Sequence, residues 1–332
     1  MEVREKKFQR NQYLESYLQE VNGDLKNTEQ YLLEKSYETY PVIFVMGALR
    51  SGTTLTTQWL ANTNEFAYPT NLLSRFYEAP IVGAKIQRLL LDPQYAFRDE
   101  LTDFSHEVNY RSNNGKTSGA LAPNEFWYFW RRFFPYDSSG IDYLPNEELA
   151  NLVDKGTFVK ELMGIANVFE KPLAMKGMIA NYNIEFLDQI LDKVIFISVK
   201  RDPYTNIASI LEARKRQLGD ERKWYSFHIP EMNDLQTYDD PVIQAAGQAY
   251  YINQAVDKSL EKVSGERKME LRYEEFCGEP EKFYYILRDK LLQQGYEISD
   301  KYCGEKKFTI TREVCDDRIR KGYTRFLEEN IR

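Results

Sequence analysis

Apolar residues recur along this chain with two different periods. Between residues 8 and 36, Tyr13, Leu14, Tyr17, Leu18 and Val21 stand at the spacing of one helix face, and a second patch follows at Tyr31–Leu33. That spacing predicts one or two amphipathic helices. At Val42–Met46 the apolar residues become an unbroken run, as in a strand buried on both faces. The run breaks at Gly47 into a polar loop, and a helical pattern follows from Thr53 through Leu60. The same alternation returns later, with a short strand over Pro172–Lys176, a helix through Glu185–Leu191 and an apolar strand over Val194–Val199. Asp202 and Pro203 then open a helix, as N-cap and first helical residue. A long helix is predicted over Pro241–Lys262, a strand ending at Arg272–Tyr273, and another helix opening at Pro280. Strands alternating with helices predict an α/β fold with a mostly parallel central sheet flanked by helices.

Residues 64–150 mix helical patches with Gly, Pro and Asn and show no strand order. The stretch 64–170 is therefore expected as a helical insertion on the substrate side. Residues 1–40 are expected as a helical extension packed on the core, and residues 41–332 as a single domain. The tail, 301–332, reads as short and charged.

Composition removes several function classes. The chain has 332 residues, 42% of them hydrophobic, enough for a sizeable core. A formal net charge of −7 argues against a nucleic-acid binder that works by neutralising phosphates. The three cysteines, Cys277, Cys303 and Cys315, are too scattered for a disulfide framework or a paired-cysteine metal site, and a reducing cytoplasm suits them. Only His106 and His228 are present, so no polyhistidine metal centre is expected. No run approaches the roughly 18 apolar residues of a membrane span. The basic N-terminus is not followed by an apolar stretch, so no secretory signal is expected.

The segment VIFVMGALRSGTT, residues 42–54, carries the most chemistry. A loop leaving a buried strand and opening a helix points backbone N–H groups and the positive helix end at one spot, where an anion binds. Gly47 and Gly52 have the spacing of a Walker A loop, but Thr53 and Thr54 follow where Lys and Ser or Thr are required. The cation lies inside the loop instead, at Arg50. Gly47, Arg50, Ser51, Gly52, Thr53 and Thr54 can thus cradle a phosphate but suit ATP poorly. The plain alternative is a ligand-free strand–helix turn.

A second anion element lies in VIFISVKRDPYTNIASIL, residues 194–211. Arg201 stands at the carboxyl end of a buried strand, where open α/β sheets bind ligands. Ser209 lies two helical turns past Asp202, on the face of that N-cap. Arg201 and Ser209 can converge on one phosphate, and a nucleotide phosphorylated at both ends would bridge the two elements.

The pairing resembles the PAPS-dependent sulfotransferases, enzymes that use 3′-phosphoadenylyl sulfate. GALRSGTT resembles their 5′-phosphosulfate loop, often G-x-P-R-S-G-T-T, and VKRDPYTNIASIL resembles their 3′-phosphate element. LRYEEFCGEPEKF, with Tyr273, resembles a third family segment, and IRKG, with Arg320, Lys321 and Gly322, resembles the R-K-G that closes over the 3′-phosphate. Leu49 replaces the usual Pro, and Tyr68-Pro69-Thr70 lacks the acidic residue that often follows Pro.

The resemblance implies a P-loop NTPase-like fold and sulfuryl transfer from PAPS to a hydroxyl or amine, without a metal. It implies Arg50 at the leaving phosphate oxygen and Lys176 as a second cation, although Met178 stands where bacterial members often have Pro. It leaves three residues open as the general base: Glu78, His106 and Glu125, each of which can equally be an ordinary surface side chain. NEFWYFWRRFF, residues 124–134, offers rings for a sugar to stack on, with KWYSFHIPE, residues 223–231, as a second part of the same rim. A carbohydrate is therefore the expected acceptor, with a phenol or lipid alcohol as the competitor. An ATP-dependent P-loop kinase and a non-catalytic nucleotide-binding scaffold stay open as other classes. The sequence leaves the oligomeric state unread.

Overall fold

The computed structural model describes residues 4–95, 112–113, 116–310 and 316–331. In chain order its elements are α1 (Gln12–Leu33), β1 (Val42–Met46), α2 (Thr53–Asn62), α3 (Pro80–Leu91), β2 (Ser112–Asn113), β3 (Lys116–Thr117), α4 (Trp127–Phe133), α5 (Asn146–Leu152) and α6 (Lys155–Phe169). There follow β4 (Leu173–Lys176), α7 (Ile184–Ile190), β5 (Val194–Lys200), α8 (Pro203–Leu218), α9 (Met232–Leu235), α10 (Pro241–Lys262), β6 (Lys268–Arg272), α11 (Tyr273–Gly278), α12 (Pro280–Gln293) and α13 (Asp317–Asn330).

The main sheet has four strands in the order β4-β1-β5-β6, and every pairing is parallel. Successive side chains of a strand point to opposite faces, and here both faces are covered. Val42, Phe44 and Met46 join Met175, Phe196 and the α4 and α6 aromatics in one core. Ile43 and Val45 join Ile195, Ile197, Trp59, Phe276 and Leu287 in the other. Burial on both sides is why β1 is apolar at every position. From β1 the sheet grows to β4 on one side and to β5 on the other. The crevice past the carboxyl ends of β1 and β5 is where such a sheet takes a ligand.

The strands of the main sheet, the helix starting at Pro203 and the helix over Pro241–Lys262 fall where the sequence places them, while β2 and β3 were not expected. One further expectation is narrowed and one changes. The N-terminal stretch is one 22-residue helix capped by the Asn11 side chain, which accepts from the backbone N–H groups of Tyr13 and Leu14. The charged tail contains α13, whose Ile319, Gly322 and Phe326 are buried on one face against α8 and α10. Ile319, Gly322, Tyr323, Phe326 and Leu327 stand at the i, i+3, i+4, i+7, i+8 spacing of one helix face, a signal that the reading of a charged tail passed over.

Candidate active site

The 47–54 loop owes its shape to two glycines and to side chains arriving from later segments. Gly47 has φ +134°, and a Cβ there would lie 2.6 Å from the Val199 carbonyl oxygen. Gly52 has φ +110° as the N-cap of α2, and a Cβ there would run into the Tyr273 ring. Only glycine meets both demands without strain. The buried Asn181 amide clamps Gly47, accepting from its N–H and donating to its carbonyl, both at 3.0 Å. Asn206 Nδ2 donates to the Leu49 carbonyl at 2.9 Å, and Arg201 Nη1 donates to the Arg50 carbonyl at 2.9 Å. Leu49 therefore does not loosen the loop: tertiary hydrogen bonds hold what a proline ring would have fixed.

Arg50 itself is left-handed, φ +62°, a strained conformation for a side-chain-bearing residue. That turn sends its guanidinium toward α8, where Nε donates to Ser209 Oγ at 3.1 Å. Sequence reasoning assigns Arg50 and Ser209 to opposite ends of a nucleotide; the structure links them directly. Burial pulls the Arg50 pKa below its ordinary value, with the nearby Tyr225 opposing and Arg201 reinforcing the shift. Arg201 sits over the Tyr273 ring at 4.6 Å. Its Nε and Nη2 are buried without a protein partner, and so is Ser51 Oγ. Buried donors left unpaired are rare because each costs about 1–3 kcal/mol. An anion in the crevice would satisfy the two on Arg201, which lines the cleft, whereas Ser51 Oγ lies under the loop beside Gly47.

Lys176, at the end of β4, is 5% exposed. Its Nζ donates to Thr54 Oγ1 at 2.9 Å and to Glu125 Oε1 at 2.7 Å. The structure thus joins three sequence candidates at the first turn of α2. Glu125, with its side chain 40% exposed, is open to the crevice.

These groups line one cleft of about 1200 Å³, shared by Arg50, Gly52, Thr53, Thr54, Glu125, Lys176, Arg201 and Tyr273. The aromatic run divides at this wall. Phe126, Phe129, Trp130, Phe133 and Phe134 are core, whereas Trp127 and Tyr128 are half-buried and line the cleft. Its two arginines are occupied: Arg131 pairs with Asp142 and sits 4.7 Å from the Trp127 ring, while Arg132 forms a two-point pair with Glu161 at 2.7 and 2.8 Å. Trp224, Tyr225, Ser226 and His228 add the second rim segment.

Other candidates fall elsewhere. Glu78 is not among the cleft's lining residues; it precedes α3, and its backbone N–H donates to Asn22 Oδ1 at 2.9 Å. His106 lies outside the described residues. Arg320, Lys321 and Gly322 are in α13, away from the cleft lining: Arg320 stands 5.9 Å over the Tyr204 ring at the start of α8, and Gly322 lies against Val242. Sequence reasoning missed Asn181 and Asn206. Asn206 had a signal, since it lies three residues before Ser209 on one helix face; Asn181 had none.

A family model described as the sulfotransferase family matches residues 41–289. The chain is similar to sulfotransferase STF1 from Mycobacterium tuberculosis H37Rv at 13% identity and TM-score 0.51, with 91% of this chain and 75% of that one covered. It is also similar to sulfotransferase STF9 from Mycobacterium avium at 14% identity and TM-score 0.44, with 96% of this chain and 73% of that one covered. The first likeness concerns the fold, the P-loop NTPase-like arrangement of a mostly parallel sheet with flanking helices. No curated protein matches the sequence. Among the described residues no helix is long and apolar enough to cross a membrane.

Proposed function

The chain belongs to the sulfotransferase family and is a transferase; we propose that its donor is PAPS and its acceptor a hydroxyl, most naturally on a carbohydrate. The observation that carries the donor assignment is the pair of buried, unpartnered donors Arg201 Nε and Nη2 on a cleft-lining guanidinium bonded to the Arg50 carbonyl, beside the Arg50–Ser209 hydrogen bond. Arg201 and Ser209 are suited to the 3′-phosphate, and the loop N–H groups with Ser51 and Thr54 to the phosphosulfate. PAPS supplies the activated sulfuryl group when bound.

Sulfuryl transfer is analogous to phosphoryl transfer, with a loose transition state and charge growing on the leaving oxygen. Lys176, fixed by Thr54, the start of α2, and Arg50, once the 3′-phosphate takes Ser209 from it, meet that charge, each well-aimed donor contributing about 3–4 kcal/mol. Glu125 takes the acceptor's proton as the acceptor oxygen bonds to sulfur and the sulfur–phosphate oxygen bond breaks. Its lining position and its contact with Lys176 favour it over Glu78.

The test compares adenosine 3′,5′-bisphosphate (PAP) with ADP in thermal unfolding, then measures turnover with PAPS in chelator. Stabilisation by PAP alone and metal-independent turnover are expected. Stabilisation by ADP but not PAP, or turnover with ATP and not PAPS, overturns the reading in favour of a kinase.

A further inference from the structure

The family match begins at residue 41, yet part of the cleft wall comes from before it. Arg4, Arg10, Leu14, Glu15 and Leu18 line the cavity opposite the family loop. Two attachments hold this segment in place. The Glu5 N–H donates to the Gln217 carbonyl near the end of α8 at 2.9 Å. The Tyr128 hydroxyl, on α4, lies 2.7 and 2.8 Å from the two Glu15 carboxylate oxygens and donates to that group. The segment therefore runs from α8 to α4 along the side of the cleft that Trp127 and Tyr128 also line.

Its charge departs from that of the chain. The whole protein carries −7, but this rim presents Arg4 and Arg10, and Arg75 lines the same cavity from another segment. The acid among them is engaged: Glu15 takes the Tyr128 hydroxyl and stands 3.6 Å from Arg10, whose guanidinium lies 5.3 Å over the Tyr128 ring. Asp142 and Glu125 are likewise held, by Arg131 and Lys176. The rim thus keeps a positive excess beside two half-buried rings.

We infer that residues 4–18 are an acceptor-specificity element added to the family domain, and that they select an acceptor bearing a ring and a negatively charged group. The ring lies against Trp127 and Tyr128, and Arg4, Arg10 and Arg75 take the charge through charge-assisted hydrogen bonds. The inference rests on the sulfuryl-transfer reading for the fate of the acceptor, but its binding preference is measurable without turnover.

The experiment titrates the full chain calorimetrically with p-nitrophenyl β-D-glucuronide and p-nitrophenyl β-D-glucoside, with and without PAP. The two probes differ by a carboxylate in place of a hydroxymethyl group. The glucuronide is expected to bind about tenfold more tightly, a preference that shrinks with salt because the rim is exposed. An Arg4→Ala, Arg10→Ala, Arg75→Ala triple variant should bring the two probes to within about threefold while leaving PAP affinity unchanged. Arg75→Gln alone, at an exposed position outside the segment, should move the preference in the same direction and serves if the triple variant does not fold. Equal binding of the probes, no binding of either, or a preference that survives these substitutions overturns the proposal. A preserved preference without PAP binding sinks the donor assignment and leaves this one standing.

Discussion

At the donor end, the chemical groups sit on the loops and helix starts that follow the carboxyl ends of parallel strands, with Ser209 two turns into α8, and buried amides fix the backbone: Asn181 on Gly47, Asn206 on Leu49. At the acceptor end, the wall is assembled from segments around residues 4–18, 71–75, 117–128 and 224–228, none of them a strand of the main sheet. These segments are joined to their surroundings through side chains, as Tyr128 is to Glu15 and Arg131 to Asp142. Two left-handed glycines and buried amides hold the donor-end turn in one shape, so that end has little freedom to vary without losing the fold. The acceptor end can change ring, charge or reach while the sheet stays as it is. Substitutions at the two ends should therefore fail in different ways: donor-end changes in turnover and nucleotide affinity, acceptor-end changes in acceptor KM.

The largest effect is expected at Arg50. Arg50→Ala should lower kcat by about 10²–10³ and PAP affinity by much less, since the charge it meets develops in the transition state. Single-turnover rates with PAPS read the first quantity and calorimetry the second. Wild-type turnover would remove Arg50 from the mechanism and leave the donor end a binding site only. Next comes Glu125→Gln, which keeps the hydrogen bond to Lys176 and removes the base; a fall of about 10²-fold is expected, with Glu78→Gln near wild type. Full rate in the Glu125 variant, with loss in His106→Ala or Glu78→Gln, would move the base elsewhere. Arg201→Ala should follow, weakening PAP by at least about tenfold through the loss of a charge-assisted contact. Unchanged affinity would refute the 3′-phosphate assignment.

What could be read from the sequence divides along the same line. That the segments carrying Gly52 and Arg201 meet at one cleft was legible, because strand–loop–helix spacing puts both past the carboxyl ends of neighbouring strands. The Arg50–Ser209 link was not, since it needs Arg50 in a left-handed conformation that no spacing reveals. The aromatic run was half legible. Residues 129, 130 and 133 of α4 turn inward and 127 and 128 outward, and sequence shows the rings without showing which face the core takes. The N-terminal segment's place at the cleft was invisible because long-range contacts set it: Leu18 in the core, Tyr128 on Glu15 and the Glu5 N–H on Gln217. Helix α13 was legible in the spacing of Ile319, Tyr323, Phe326 and Leu327 but was read by its charge, so the R-K-G segment was expected in a short tail and stands instead on a helix packed against α8 and α10.

The smallest expected effect isolates one of those contacts. Tyr128→Phe keeps the ring that lines the cleft and deletes only the hydroxyl held by Glu15. That hydroxyl stays protonated through neutral pH, because burial and then the Glu15 hydrogen bond push its pKa up to about 12. The contact is therefore present at any ordinary assay pH. A hydrogen bond to a charged group contributes about 1.5–3 kcal/mol when buried; this one is partly exposed, so the lower end of that range or less applies. Losing it loosens the first turn of α1 against α4, while the Glu5–Gln217 attachment and the packing of Leu18 and Asn22 remain. The acceptor KM should rise about threefold, with kcat and PAP affinity unchanged, since no donor-end contact passes through Tyr128. A fall in kcat with KM unaltered would mean that the two ends are mechanically coupled, and the separation of scaffold from specificity would be wrong.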